Sequence, residues 1–152
     1  PICFPSLSKN VEQQCMRWGH FDKIILLSPE ATSVAAIPNF FWKELVEKFR
    51  RQGFVVISNV VNPRHTIEGS KYVKLSSSDA VALAMKCHSV YSIRSGLCDI
   101  IFQKGNKLHV YYPSHTTFFL YELNCMFPNY GIDEQIVLNS INVNNERMKD
   151  DK

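Results

Sequence analysis

Short apolar runs alternate along this chain with stretches of helical periodicity, and an alternation of that kind leaves few folds open. Residues 24–27 (IILL) and 54–57 (FVVI) show no polar face at all. A strand with apolar side chains on both sides must be covered on both sides, which is the habit of parallel sheets packed under helices. Residues 88–92 and 107–112 read as the third and fourth strands, the latter after a Gly105-Asn106 turn. Between the first two runs a helix is expected over 40–52, capped by Asn39, with Phe41, Leu45, Val46 and Phe49 on its inner face. Glu44 with Lys48 and Glu47 with Arg51 are i,i+4 pairs in the favourable orientation, and Gly53 supplies a stop. Residues 72–75 read as a short extended run. Ser76 and Asp79 then form an S-x-x-D capping box before a helix over 80–86, and a further helix is expected over 97–103. The resulting order is β, α, β, extended, α, β, α, β. It specifies an α/β domain with a mainly parallel sheet and right-handed crossovers.

The ends of the chain are less regular. Val11, Cys15 and Trp18 fall near helical spacing, so residues 1–22 read as a linker or packing helix that does not open the compact domain. The domain itself is expected over 23–138, with 130–137 adding a strand or lying along the surface, and the polar residues 139–152 are expected to be disordered. At 152 residues, 45% hydrophobic and 20% charged, the chain suits one domain with a real core.

Charge and cysteine content narrow the function classes. The net charge is +3, and Arg50-Arg51 is the only adjacent basic pair, which argues against nucleic acid as a partner. No apolar run approaches the ~18–20 residues of a membrane span, and no signal-peptide pattern opens the sequence, so a cytoplasmic protein is expected. The five cysteines are odd in number, widely spaced and without a CxxC, which points to free thiols in a reducing compartment and to no metal site. G-x-S-x-G, G-x-G-x-x-G and P-loop patterns do not occur, and the histidines form no evident catalytic set.

The candidate site follows from topology. Arg94, Ser95 and Gly96 stand where the third strand passes into a helix, at the sheet edge where α/β proteins bind anions. A guanidinium there can hold a phosphate in a two-pronged grip, and Gly96 permits close backbone approach; equally, Arg94 can cap a neighbouring helix or make an ion pair. Asp99 lies in the first turn of that helix, where a carboxylate complements the helix dipole, or can orient Arg94 or accept a ribose hydroxyl. Ser28, Glu30, Thr32 and Ser33 follow the first strand and share this edge. Thr32 and Ser33 suit phosphate oxygens, and Glu30 suits a sugar hydroxyl. His109 reads as a packing residue within its strand.

The segments ILLSPEATSV, IPNFFWKELVEKFRRQGFVVISNV, KLSSSDAVALAMKCHSVYSIRSGLCDII and KLHVYYP resemble the C-terminal half of bacterial GT-B glycosyltransferases, with family 9 (heptosyltransferase-like) enzymes as the nearest likeness. The resemblance spans residues 23–113, and its most specific part is SIRSGLCD at 92–99. It implies a single Rossmann-like three-layer domain that binds a nucleotide-diphospho-sugar donor for surface polysaccharide or lipopolysaccharide synthesis. Ser28, Glu30, Thr32, Ser33 and the Arg94-Ser95-Gly96 turn would surround the donor diphosphate. By the same resemblance the glycan acceptor, and the catalytic base, belong to an N-terminal domain outside this sequence, peripheral membrane association is a further expectation, and no cofactor or metal is needed. Such a half-enzyme is expected to be inactive alone and to expose Trp18, Phe118, Phe119, Tyr121 and Phe127. The family's D-x-G-x-x-H pattern is replaced here by Arg94 and Cys98-Asp99, which argues against heptose as the sugar. A non-catalytic nucleotide- or anion-binding module and a vestigial interaction domain are the alternatives.

Overall fold

The computed structural model describes residues 5–31, 36–101, 108–112 and 134–137, of which 99–101 and 134–137 are described by backbone alone. The elements are α1 (Lys9–Trp18), β1 (Ile24–Ser28), α2 (Asn39–Arg51), β2 (Val55–Asn59), β3 (Lys71–Val73), α3 (Ser77–Lys86), β4 (Ser89–Ile93), α4 (Gly96–Ile101), β5 (Leu108–Tyr112) and β6 (Glu134–Val137). Six strands form one sheet in the order β3-β2-β1-β4-β5-β6, and every neighbouring pair is parallel. This is the doubly wound order of Rossmann-like domains. The chain builds outward from β1 in one direction, then returns to place β4 on its other side. The α/β three-layer architecture read from the sequence is therefore the observed one.

Alternation along the strands sorts the core into two layers. Ile24 and Leu26 of β1, with Val90 of β4 and Leu108, Val110 and Tyr112 of β5, pack under α1, α3 and α4 through Cys15, Leu83 and Cys98. Ile25 and Leu27, with Val56, Ile93 and Tyr111, pack under α2 through Trp42, Val46 and Phe49. All five residues of β1 are buried, as a central parallel strand requires.

The second layer is aromatic. Phe41, Trp42 and Tyr111 meet edge to face with centroids 5.0–5.6 Å apart, and Tyr91 stacks on the His109 ring at 4.2 Å with 3° between the planes. His109 thus acts in packing. The buried face of α2 is centred on Trp42, Val46 and Phe49, while Phe41 and Leu45 are half-buried at its flank. The cap is Pro38, not Asn39, which is the first helical residue. Val46 and Phe49 are buried as expected, whereas Trp42, absent from the expected inner face, is buried between them and Phe41 and reaches Tyr111.

The amino-terminal helix belongs to this same core. Leu7 and Cys15 are buried in the first layer, Val11 and Trp18 pack half-buried against it, and Ser8 donates from both its N–H and its hydroxyl to the Asp79 carboxylate at 2.8 and 2.9 Å. Trp18 is accordingly no exposed docking residue. The aromatic residues at 118, 119, 121 and 127 and the tail at 139–152 lie outside the described residues.

Helix α3 starts at Ser77, three residues earlier than expected, because Ser76 caps it directly by accepting from the Asp79 N–H at 3.1 Å. The Asp79 carboxylate, however, is engaged by Ser8, so half of the expected capping box serves to fasten α1. Strand β3 ends at Val73, which releases Lys74 and Leu75 into the connection that follows.

Candidate functional site

The carboxyl ends of β1, β2, β3 and β4 open into one cleft of about 900 Å³. It lies at the point where β1 is flanked by β2 on one side and β4 on the other, the switch point at which open α/β sheets leave a crevice. Its polar wall carries Ser28, Glu30, Asn39, Asn59, Asn62, His65, Lys74, Ser76, Ser77 and Ser95, and its apolar lining includes Ile37, Trp42, Ile67, Leu75 and Leu97. Among the described residues lining it, Lys74 is the only lysine or arginine, Glu30 the only acid and His65 the only histidine.

Cross-links between the connections fix this wall. Asn59, at the end of β2, accepts from the Leu75 N–H at 3.0 Å, and Val60 donates to the Val73 carbonyl at 3.1 Å. The connection after β1 is tied to the one after β2 through Glu30, whose Oε1 lies 2.8 Å from His65 Nδ1 and whose Oε2 accepts from the Val61 N–H at 3.3 Å. His65 ends a 3₁₀ turn opened by Pro63; Asn62 Oδ1 accepts from the Arg64 N–H at 3.0 Å, and the His65 N–H reaches the Asn62 carbonyl at 2.9 Å.

The β4–α4 turn is held as firmly. The Arg94 N–H donates to the Tyr111 carbonyl at 2.9 Å, Ser92 Oγ donates to the Ile93 carbonyl at 2.7 Å, and the Cys98 N–H reaches the Ser95 carbonyl at 3.0 Å. The Cys98 thiol sits beneath the turn beside Ser92 and the Ile93 carbonyl, and burial pushes its pKa up. Such a thiol is a packing group, not a nucleophile.

Of the residues nominated from sequence, Ser28, Glu30, Ser95 and Gly96 line the one cleft. Arg94 does not line it. That residue is 4% exposed, and its guanidinium donates to the Ser95 carbonyl at 2.6 Å, bracing the turn from inside. Thr32 and Ser33 lie outside the described residues; Asp99 is placed by its backbone within α4. Asn59, His65, Lys74, Ser76 and Ser77 were not nominated, although the parallel topology implies that residues following every strand share this edge. Lys74 escapes the sequence because nothing local ends β3 at Val73, and His65 because it stands in an irregular loop.

No group of His, Cys, Asp and Glu side chains among the described residues is arranged to hold a metal ion, and no described helix is long and apolar enough to cross a membrane. No protein-family model, curated protein or solved structure matches the chain.

Proposed function

We propose that this domain binds a nucleotide-diphospho-sugar in the cleft, as the donor half of a glycosyltransferase. The observation that carries the reading is the position and lining of the cleft. It lies at the switch point of a 3-2-1-4-5-6 sheet, it has nucleotide-scale volume, and its walls combine an apolar floor with Lys74, serine hydroxyls and the first residues of α3. An apolar floor of Ile37, Trp42 and Ile67 suits a base or sugar face, while Lys74, Ser76 and Ser77 suit phosphoryl oxygens. The likeness of SIRSGLCD to donor-side loops adds the reaction class: transfer of a sugar from a nucleoside diphosphate to an acceptor hydroxyl, with the acceptor held by another domain.

In this reading Lys74, not Arg94, is the cation that touches the diphosphate. Arg94 shapes the turn that presents Ser95 and Gly96. Because the buried guanidinium is not on the cleft wall, stabilisation of a leaving diphosphate falls to Lys74 and backbone amides. That leaner arrangement also favours the second reading, a nucleotide-binding module without transfer activity.

Calorimetric titration with nucleosides and their diphosphates tests the assignment. A diphosphate should bind more tightly than its nucleoside, by about 1.5–3 kcal/mol if one charge-assisted hydrogen bond is gained. Equal affinity for the two would remove the diphosphate from the cleft. Transfer from a panel of nucleotide sugars, assayed with glycan acceptors, then separates the enzyme from the binding module.

A further inference from the structure

The Glu30–His65 pair has a chemistry that the reading above does not use. A carboxylate can only accept, so the 2.8 Å contact assigns the proton to His65 Nδ1 and leaves Nε2, on the far side of the ring, as the atom available to a ligand. Both residues line the cleft. The pair is set in place from both sides: Glu30 is held by the Val61 N–H, and His65 is presented by the Pro63 turn, whose Thr66 hydroxyl bonds back to the Pro63 carbonyl at 2.7 Å. Such a ring is oriented before any ligand arrives.

Charge then decides what the ring does. Lys74 and Glu30 leave the described cleft wall formally neutral while His65 is neutral. A diphosphate brings at least two negative charges against that wall. Among the described residues, the charged groups are Glu30, in direct contact with the ring, Lys74, which lines the same cleft, and Arg64, its neighbour in the turn but not a wall residue. A phosphoryl oxygen at Nε2 favours the protonated ring, since only that form donates from both nitrogens, to Glu30 through Nδ1 and to the ligand through Nε2.

Resting on the phosphoryl-ligand reading given above, we propose that His65 is a second, conditional cation of the cleft: it binds a phosphoryl oxygen through Nε2–H, taking up one proton from solvent as the ligand seats, while Glu30 positions the ring. Affinity for phosphoryl ligands falls as the pH rises through the range in which imidazoles lose their proton, and nucleosides show no such fall.

The test uses inorganic pyrophosphate, which needs no base recognition, with the full chain. NMR titration of the His65 ring, with and without saturating pyrophosphate, should show its protonation midpoint moving upward on binding; each unit of movement corresponds to about a tenfold steeper difference in affinity between low and high pH. His65→Gln should weaken binding at pH 6 by several-fold, change it little at pH 8, and abolish the protein's share of the proton uptake seen in buffers of different ionisation enthalpy. Glu30→Gln, which keeps an acceptor but removes the charge, should reduce the same uptake while leaving the fold intact by circular dichroism. Pyrophosphate binding with an unmoved His65 midpoint, or with the same uptake in His65→Gln, overturns this inference and leaves the cleft assignment standing. No binding of pyrophosphate at either pH overturns both.

Discussion

Replacement of Trp42 sets two opposing energies against each other. Its ring is 1% exposed, packed edge to face against Phe41 and Tyr111, and its Nε1 is buried with no hydrogen-bond partner among the described residues. Trp42→Phe keeps a six-membered ring in the aromatic layer and loses roughly 40 Å³, which at about 24 cal/mol per Å³ of cavity costs about 1 kcal/mol. Weakened edge contacts add about 0.5–1.5 kcal/mol to that cost. Removing the N–H relieves a desolvated donor, a penalty of about 1–3 kcal/mol. The two sides nearly cancel, so Trp42→Phe should unfold within about 1 kcal/mol of the wild type, whereas Trp42→Ala, which relieves the same donor but empties the site, should cost about 3–5 kcal/mol. Urea denaturation followed by far-UV circular dichroism measures both, with no reliance on the tryptophan signal being altered. If the phenylalanine variant falls as far as the alanine variant, the indole N–H is not an unpaid penalty and the reasoning fails.

Two further outcomes follow from the site and the thiols. Lys74→Met should weaken pyrophosphate binding by about 1 kcal/mol, the scale of one exposed charge pair in water, with the loss shrinking as salt is added; calorimetry at low and high ionic strength reads it, and an effect independent of salt would contradict it. Burial pushes Cys15 up from its ordinary 9.0 to about 11 and Cys87 to about 12. Below pH 9 both states hold these protons and the stability is unaffected; as the pH rises past 9 the unfolded chain releases them first, so stability should decline progressively toward pH 11–12. Denaturation midpoints across that range, compared with Cys15→Ala, check the sign, and a midpoint that rises with pH would refute it.

Much of the fold was legible because its strands are chemically unambiguous. Residues 24–27 have no side on which water could be tolerated, and they are central in a covered sheet; of residues 54–57, Val56 and Ile57 are buried in β2 by the same logic, while Phe54 precedes the strand and stays half-buried with Val55. Boundaries were harder. Nothing local distinguishes Lys74-Leu75 from the strand before them; the strand ends at Val73 because Asn59 takes the Leu75 N–H, a partner 16 residues away. The site was half legible for the same reason. Ser28 ends β1, and Ser95 and Gly96 follow β4; the expected strands 24–27 and 88–92 fall within one residue of these, and all three residues line the cleft. A guanidinium at a strand end can serve a ligand or its own surroundings, a choice no local pattern makes, and the tertiary structure shows Arg94 donating to the Ser95 carbonyl. The Glu30–His65 pair joins residues 35 apart in sequence, across two loops without periodicity, and no spacing rule could have found it.

The strand order has a consequence for how the protein meets its own copies. The wholly buried β1 stands inside the sheet, while among the described residues the sheet ends in β3, with three residues, and β6, with four. A foreign strand aligning with β3 would find only a brief ledge of backbone groups, and would have to dehydrate the exposed Lys71 to use it. Recruitment at that edge gains too few hydrogen bonds to offset the ordering of an incoming chain. The apolar runs that would be hazardous on a margin, IILL and FVVI, are confined to interior positions. The order of the strands thus keeps the two most apolar runs of the chain away from the open edge at β3.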